Sequence, residues 1–157
     1  MRSAVLPDDD FRALSLSSEV ETARFGRSLG QFLRAGDWIS LIGPLGVGKT
    51  ALARSLVQGR LGQSVEVPSP SYTLVNVYDG EPQIWHADLY RLGEPEEAHE
   101  LGLLDDLADR IVLVEWPERL DRAIPDRRLE ITLGFEGDQG RFLRLAAYGD
   151  WDLEGLV

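Results

Sequence analysis

Eight consecutive residues carry the clearest chemical pattern in the chain. Residues 43–50, Gly-Pro-Leu-Gly-Val-Gly-Lys-Thr, fit G-x-x-x-x-G-K-[ST] at every fixed position. In such a loop the glycines let backbone N–H groups turn towards phosphate oxygens, the lysine reaches the β- and γ-phosphates, and the final hydroxyl binds Mg²⁺. The sequence therefore predicts a site for a nucleoside triphosphate. The residues expected to line the nucleotide are Gly43, Pro44, Leu45, Gly46, Val47, Gly48, Lys49, Thr50 and Ala51.

Two carboxylates are placed to work with this loop. Phosphoryl chemistry needs a further oxygen ligand for Mg²⁺ and a group that orients the attacking oxygen. Glu115 follows four consecutive apolar residues and Asp88 ends another apolar run, and strand ends of this kind bind ligands in open α/β sheets. We expect Lys49, Asp88 and Glu115 to be catalytic, and Thr50 and Glu115 to bind the metal. Whether Asp88 binds magnesium or accepts a hydrogen bond from the attacking water stays open.

Three further polar residues are candidates for supporting roles. Strand alternation would place His86 on the same face as Asp88, where it either orients that carboxylate or satisfies itself by hydrogen bonds. Ser71 and Thr73 lie in a loop stiffened by two prolines, of the kind that orders around a γ-phosphate. We expect these two hydroxyl residues to belong to a switch-like loop.

The flanking segments have the patterns that a phosphate loop requires. The apolar run 38–42 before the loop indicates a strand buried on both faces, and residues 51–61 after it indicate an amphipathic helix. Residues 18–21, Ser-Glu-Val-Glu, form a capping box that predicts an earlier helix, for which Gly36 is a stop. Residues 111–115 predict a second buried strand.

The rest of the chain contains two hairpin patterns. Further segments are expected as strands 72–78 and 84–89 around the turn 79–82, strands 129–135 and 141–147 around the turn 136–140, and a weak helix over 94–104. The sequence therefore predicts an α/β fold of the P-loop NTPase type, with three layers, a mostly parallel central sheet and an antiparallel hairpin. One domain is expected over residues 1–157, with residues 1–16 as a flexible arm or an edge strand.

Composition excludes several classes of protein. The absence of cysteine rules out disulfides and thiolate chemistry, and two histidines are too few for a dedicated metal cage. The longest apolar run is far shorter than the roughly 20 residues of a membrane-spanning helix, so we expect a cytoplasmic protein without a membrane partner. A net charge of -11 and a single lysine, Lys49, argue against a groove that binds nucleic acid directly.

Four motifs in this order and spacing make the chain resemble the TsaE (YjeE) family, the small ATPases of bacterial threonylcarbamoyladenosine synthesis on tRNA. The motifs are residues 43–50, Ser-Pro-Ser-Tyr-Thr-Leu-Val at 69–75, His-Ala-Asp-Leu-Tyr-Arg-Leu at 86–92, and Leu-Val-Glu-Trp-Pro-Glu at 113–118. The family commonly has Thr and Phe at the positions occupied here by Ser71 and Tyr72. Ser71 keeps the hydroxyl group.

The resemblance implies a complete functional assignment. It implies ATP and Mg²⁺ as cofactors, with Lys49 and Thr50 serving the phosphates and the metal, Glu115 supporting the metal and Asp88 assisting hydrolysis. It also implies TsaB and TsaD as partners, which would hold the tRNA and which ATP turnover would reset between cycles. Hydrolysis by the subunit alone would be slow and stimulated by these partners.

Three alternatives use the same loop differently. A nucleotide-dependent scaffold would exchange ATP without productive turnover. A small-molecule kinase would need an acceptor site, for which the arginines within 119–128 are candidates. A GTPase switch would need an Asn-Lys-x-Asp loop, and the chain has no lysine left to supply one.

Overall fold

The computed structural model describes residues 11–63 and 65–152, which form seven strands and three α-helices. Their order is β1 (Phe11–Leu16), α1 (Glu19–Phe32), β2 (Trp38–Ile42), α2 (Lys49–Leu61), β3 (Val75–Tyr78), β4 (Gln83–Asp88), α3 (Glu97–Glu100), β5 (Arg110–Glu115), β6 (Arg128–Glu136) and β7 (Gly140–Tyr148). Short 3-10 helices cover Leu107–Asp109 and Pro117–Ala123. No helix in these two ranges is long and apolar enough to cross a membrane.

The strands form one sheet in the order β1-β7-β6-β2-β5-β4-β3. The four central strands, β6, β2, β5 and β4, are mutually parallel. Antiparallel pairs β6–β7 and β3–β4 lie towards the two edges, and β1 pairs antiparallel with β7. Five of the seven strands therefore run in one direction, which confirms the predicted α/β sheet and its hairpins.

The central strands are buried on both faces of the sheet. Ile39 and Leu41 belong to one buried cluster, which also contains the apolar side chains of α1 and α2. Trp38 faces a second cluster on the opposite side, under α3 and the 3-10 helices. Because successive side chains of a strand point to opposite faces, β2 needs apolar residues at nearly every position. This burial fixes the carboxyl end of β2, where residues 43–48 begin.

Both long helices begin with the local signals that the sequence contains. The Ser18 hydroxyl accepts a hydrogen bond from Glu21 N at 3.2 Å, so the predicted cap opens α1. The helix ends at Phe32, before the predicted stop at Gly36, because Leu33 is already extended. Helix α2 begins directly at Lys49 and ends at a left-handed Gly62.

Two predicted segments are shorter in the structure than the sequence indicates. Of residues 72–78 only Val75–Tyr78 form a strand, because the chain makes a turn closed by Leu74 N and the Pro70 carbonyl at 2.7 Å. Of residues 94–104 only the single turn α3 is an α-helix, and Gly102 leaves helical geometry with a φ of 76°. Tertiary contacts override weak helix propensity in such short segments.

The structure describes only part of residues 1–16, the predicted arm or edge strand. Residues 11–16 form β1 at the edge of the sheet, whereas residues 1–10 lie outside the described residues. The C-terminal residues 153–157 also lie outside it. The assignment of one domain to residues 1–157 stays a prediction.

Candidate nucleotide-binding site

The glycine loop joins the buried end of β2 to the first turn of α2. Gly48 is the residue before the helix and has a φ of 114°, a conformation that side chains with a Cβ rarely adopt. Val47 is fully buried and anchors the loop in the core. A Cβ on Gly43 would lie 2.7 Å from the Leu133 carbonyl oxygen, so the loop starts in close contact with β6. The α2 amino terminus thus presents free N–H groups to an anion at the loop.

Lys49 lies inside the loop that the sequence assigns to phosphate binding. Its Nζ donates to the carbonyl oxygens of Gly43 and Pro44, the latter at 3.2 Å. The ammonium also sits 3.8 Å from the ring centroid of Trp116. The side chain is therefore held over the loop by backbone oxygens and by an aromatic face.

Burial lowers the pKa of Lys49, and the nearby carboxylates of Glu115, Glu118 and Asp88 act in the opposite direction. A lysine with a lowered pKa is one whose positive charge has lost more hydration than its surroundings replace. Phosphate oxygens would supply that missing stabilisation through charge-assisted hydrogen bonds. The electrostatics of Lys49 thus favour an anionic ligand.

Glu115 connects the loop to two neighbouring strands. Its Oε1 accepts a hydrogen bond from the Thr50 hydroxyl at 2.7 Å, and its Oε2 lies 2.7 Å from His86 Nε2. The parallel registers place Glu115 beside Leu41 on one strand and beside Asp88 on the other. Both members of the Glu115–His86 pair are buried, at 2% and 0% exposure. The structure therefore brings Thr50, Glu115 and Asp88 to one edge of the sheet.

His86 contacts Glu115, although alternation along β4 suggested Asp88 as its partner. An ionised carboxylate only accepts hydrogen bonds, so Nε2 of His86 carries the proton between them. Its other nitrogen, Nδ1, is buried and has no hydrogen-bond partner within residues 11–63 and 65–152. Such an arrangement favours the Nε2–H tautomer, because a proton on Nδ1 would be a buried donor without an acceptor. His86 thus holds one oxygen of Glu115.

Asp88 is held by the segment around it. Its Oδ1 accepts from Tyr90 N at 3.0 Å and its Oδ2 accepts from the Ser71 hydroxyl at 3.3 Å. The side chain is largely buried and close enough to influence Lys49 electrostatically. Asp88 is therefore oriented at the carboxyl end of β4, beside Glu115.

The predicted switch loop divides into two parts. Ser71 contacts Asp88 and also pairs with the Ser69 hydroxyl at 2.7 Å. Thr73 donates to Asn76 Oδ1 at 2.9 Å, within the same loop and strand β3. The structure therefore links Ser71 directly to the candidate catalytic carboxylate, whereas the hydrogen bond of Thr73 lies within its own segment.

The oxygen set at the loop suits Mg²⁺ better than a transition metal. Residues 11–63 and 65–152 contain no group of three or more His, Asp or Glu that would cage a metal ion. Mg²⁺ instead takes one or two protein oxygens and completes its shell with water and substrate phosphates. The adjacent oxygens of Thr50 and Glu115 are donors of that kind. These two residues fit a magnesium ion that is bound together with the nucleotide.

Two residues of the site were not identified from the sequence. Trp116, to which the sequence assigned no role, contacts the Lys49 ammonium, and its ring centroid lies 5.0 Å from that of Tyr90. Arg141 donates from Nε to the Val47 carbonyl at 2.6 Å and so holds the loop from β7. Trp116 follows the last strand residue in a left-handed conformation, with φ at 60°, which strand periodicity does not predict.

The comparison with known families gives one match over most of the chain. The family described as "Threonylcarbamoyl adenosine biosynthesis protein TsaE" matches residues 16–143. This range includes the loop, all three candidate catalytic residues and the first four residues of β7.

Curated proteins and solved structures are similar over comparable lengths. Proteins described as tRNA threonylcarbamoyladenosine biosynthesis protein TsaE share 34% identity in Rickettsia bellii, covering 83% of this chain and 91% of that protein, and 37% in Streptomyces coelicolor, covering 80% and 89%. The Treponema pallidum protein of the same description is 33% identical, covering 86% and 99%. The crystal structure of YdiB from Bacillus subtilis superposes with a TM-score of 0.72 at 27% identity, covering 88% of this chain and 86% of that one. The chain belongs to the TsaE family.

Proposed function

We propose that this chain is a Mg²⁺-dependent ATPase that serves the threonylcarbamoyladenosine modification of tRNA. Residues 43–51 would bind ATP, and hydrolysis would act on a complex of the partner proteins TsaB and TsaD in the cytoplasm. The single observation that carries the proposal is the hydrogen-bonded connection from Thr50 in the loop through Glu115 to His86. A glycine-rich turn that formed by chance would have no reason to be tied to a buried carboxylate.

Binding of the phosphates rests on groups of the loop and of α2. Lys49 would exchange its backbone carbonyl acceptors for phosphate oxygens, and the free N–H groups at the start of α2 would complete the cradle. Trp116 would hold the Lys49 ammonium in position above the loop. Most of the affinity for the ATP phosphates would therefore come from Lys49 and from backbone N–H groups.

The two carboxylates would divide the remaining work. Bound Mg²⁺ supplies positive charge that offsets the charge developing on the phosphate oxygens. Thr50 and Glu115 would hold that ion, and His86 would keep Glu115 pointing at it. Asp88, held by Tyr90 N and Ser71, would accept a hydrogen bond from the attacking water.

The contact between Asp88 and Ser71 supports a role for the 69–73 loop in sensing the nucleotide. Ser71 would shift when a γ-phosphate occupies the site, because it shares Asp88 with the attacking water. Thr73 would act by keeping the loop attached to β3 through Asn76.

The charge of the chain supports an indirect relation to RNA. A net charge of -11 makes direct binding to a phosphate backbone unfavourable, so tRNA would be held by the TsaB and TsaD partners. ATP is preferred to GTP in this proposal because the chain has no lysine outside the loop for a guanine-reading motif.

The test is ATP hydrolysis by the purified chain, alone and with TsaB, TsaD and tRNA. A rate that rises with the partners and disappears in Lys49→Ala supports the proposal, and Arg24→Ala, which removes an exposed positive charge on α1, is the matched control. ATP binding without any stimulated turnover would favour a scaffold. Stoichiometric phosphorylation of a metabolite would favour a kinase.

Thermal unfolding of the Lys49→Ala variant checks that lost activity is not lost folding. The lowered pKa means that protonated Lys49 opposes folding at pH 7, a penalty relieved only as the pH rises past the folded-state pKa. Removing the charge relieves this penalty and offsets the lost contacts of Nζ with the Gly43 and Pro44 carbonyls, so we expect the variant to melt close to the wild type.

A further inference from the structure

The positions of the candidate catalytic groups indicate how a bound nucleotide is oriented across the sheet. Thr50, Glu115 and Asp88 lie on or next to β5 and β4, on one side of β2. They are the groups that the proposed function assigns to the terminal phosphate and its metal ion, and this inference rests on that assignment. The nucleoside end of the ligand must then extend towards the other neighbour of β2, which is β6.

Two side chains of the β6–β7 hairpin lie next to each other and close to the loop. Phe135 and Arg141 are directly paired across β6 and β7, and we call them the hairpin platform. They lie on the same face as Leu133 and Leu143, whose side chains pack in the cluster with α1 and α2. This is the face on which the glycine loop runs into α2. The platform therefore extends that face beyond the core.

The hairpin platform is fixed to the loop through its arginine. Arg141 Nε donates to Val47 O at 2.6 Å and Nη1 donates to Gly140 O at 2.8 Å. A Cβ on Gly48 would be 3.9 Å from the same Nε. Because two of its nitrogens bond backbone oxygens, the guanidinium is held in one plane instead of sampling solvent.

The aromatic half of the hairpin platform is open to solvent. The guanidinium carbon of Arg141 is 4.9 Å from the centroid of the Phe135 ring, and Phe135 remains 58% exposed. An exposed phenyl ring backed by a planar cation is a surface on which a nucleobase stacks, since every base offers a π-face. Phe142 is the neighbour of Arg141 on β7. It pairs with Gly134 and points to the opposite face of the sheet.

We infer that the hairpin platform, Phe135 and Arg141, is the subsite that stacks the purine base of the bound nucleotide. It adds affinity for the base without reading its hydrogen-bonding edge, so it acts on ATP and GTP alike. Arg141 serves both the base and the loop, whereas Phe135 serves only the base.

The experiment compares a full nucleotide with its phosphate part alone. Dissociation constants of Mg-ATP, Mg-GTP and inorganic tripolyphosphate with Mg²⁺ are measured by calorimetry for the wild type, Phe135→Ala and Phe135→Trp. Loss of one stacking partner is expected to weaken both nucleotides roughly tenfold and to leave tripolyphosphate within about twofold. Phe135→Trp is expected to restore nucleotide affinity. Phe142→Ala, which removes a phenyl ring from the other face of the same hairpin, is the matched control.

Each outcome decides between distinct conclusions. If Phe135→Ala weakens ATP no more than Phe142→Ala does, or weakens tripolyphosphate equally, the hairpin platform is not the base subsite. If the wild type does not bind ATP, or Lys49→Ala binds it as well as the wild type does, the proposed function itself is wrong and the inference falls with it. ATP binding that needs Lys49 but ignores Phe135 overturns the inference alone.

Discussion

The two sides of the glycine loop are built on different principles. On the β5 and β4 side, polar groups are buried and satisfy one another, as in the contacts of Glu115 with Thr50 and His86. On the β6 and β7 side, the hairpin platform of Phe135 and Arg141 is partly open and rests on a cross-strand pair. Buried polar groups are costly unless each has its partner, so the first side tolerates little change. The second side should adjust affinity without controlling chemistry.

Glu115→Gln is the change with the largest expected effect on the buried side. The amide keeps the size of the side chain and an oxygen for Thr50, but it loses the negative charge that suits Mg²⁺. We expect kcat to fall by at least about 100-fold while the dissociation constant of ATP changes by less than about threefold. Single-turnover hydrolysis and calorimetry separate the two quantities.

The matched control for that change is Glu118→Gln. Glu118 is exposed and also influences Lys49, so it tests whether general loss of negative charge explains the result. Equal loss of kcat in both variants would contradict a special role for Glu115.

His86→Ala is expected to have the next largest effect, acting through Glu115. Removing the ring leaves Glu115 Oε2 buried without its donor, and positioning partners of metal ligands typically contribute 10- to 100-fold in metal affinity. We expect Mg²⁺-dependent ADP binding to weaken by about that factor, while ADP binding without Mg²⁺ changes little. His86→Gln, which keeps a donor, should recover part of the loss.

The other histidine provides the control for this prediction. His99 is exposed on α3 and takes no part in the contacts described for Glu115, so His99→Ala should leave the Mg²⁺ dependence unchanged. Equal weakening of ADP binding with and without Mg²⁺ in His86→Ala would indicate a purely structural residue.

Arg141→Ala is the change that links the two sides. Its loss leaves the Val47 carbonyl without this donor and loosens the loop, so we expect the binding of tripolyphosphate to weaken roughly tenfold. ATP is expected to weaken more than tripolyphosphate, because Arg141 also backs the Phe135 ring on which the base would stack. Phe135→Ala should weaken ATP only. Arg141→Lys keeps the charge but not the planar two-point contact, and full recovery in that variant would mean that charge alone matters.

Much of the buried side was predictable from the sequence because its signals are local. The glycine loop, the buried run of β2 and the apolar residues before Glu115 each lie within a few positions, and strand ends of parallel β-strands meet at one edge. These features were sufficient to place Lys49, Thr50 and Glu115 near one another.

The contacts that the sequence did not predict depend on strand order and register. The alternation of side chains along β4 predicts the face on which His86 lies, but it does not predict which strand lies beside β4. The contact of His86 with Glu115 on β5 was therefore missed. Arg141 reaches Val47 across 94 positions of sequence, and only the hairpin register brings it there. Ser71 contacts Asp88 because residues 70–74 form a turn that extends into the strand expected over 72–78. Register is set by packing of whole faces, which no short motif contains.

Tyr78→Phe has the smallest expected effect. The residue belongs to neither side of the glycine loop, so the variant provides a reference for the others. Its hydroxyl on β3 is buried and has no partner of good hydrogen-bond geometry among residues 11–63 and 65–152. Burial raises the pKa of Tyr78 above 10.0, against smaller opposing effects of Asn76 and Arg54. The unfolded chain therefore releases this proton first, so the free energy of unfolding falls as the pH rises past about 10. We expect the wild type to lose stability there faster than Tyr78→Phe, with ATP affinity at pH 7 unchanged.

Urea titrations between pH 8 and pH 11 measure this difference, with Tyr72→Phe as the control because the Tyr72 side chain is 84% exposed. Lys49 acts in the opposite direction in this range, since its lowered pKa makes the unfolded chain hold the proton longer. That contribution is common to the wild type and both tyrosine variants, so it cancels when their curves are subtracted. A difference curve for Tyr78→Phe that is as flat as the one for Tyr72→Phe would mean that water reaches the Tyr78 hydroxyl in the folded protein.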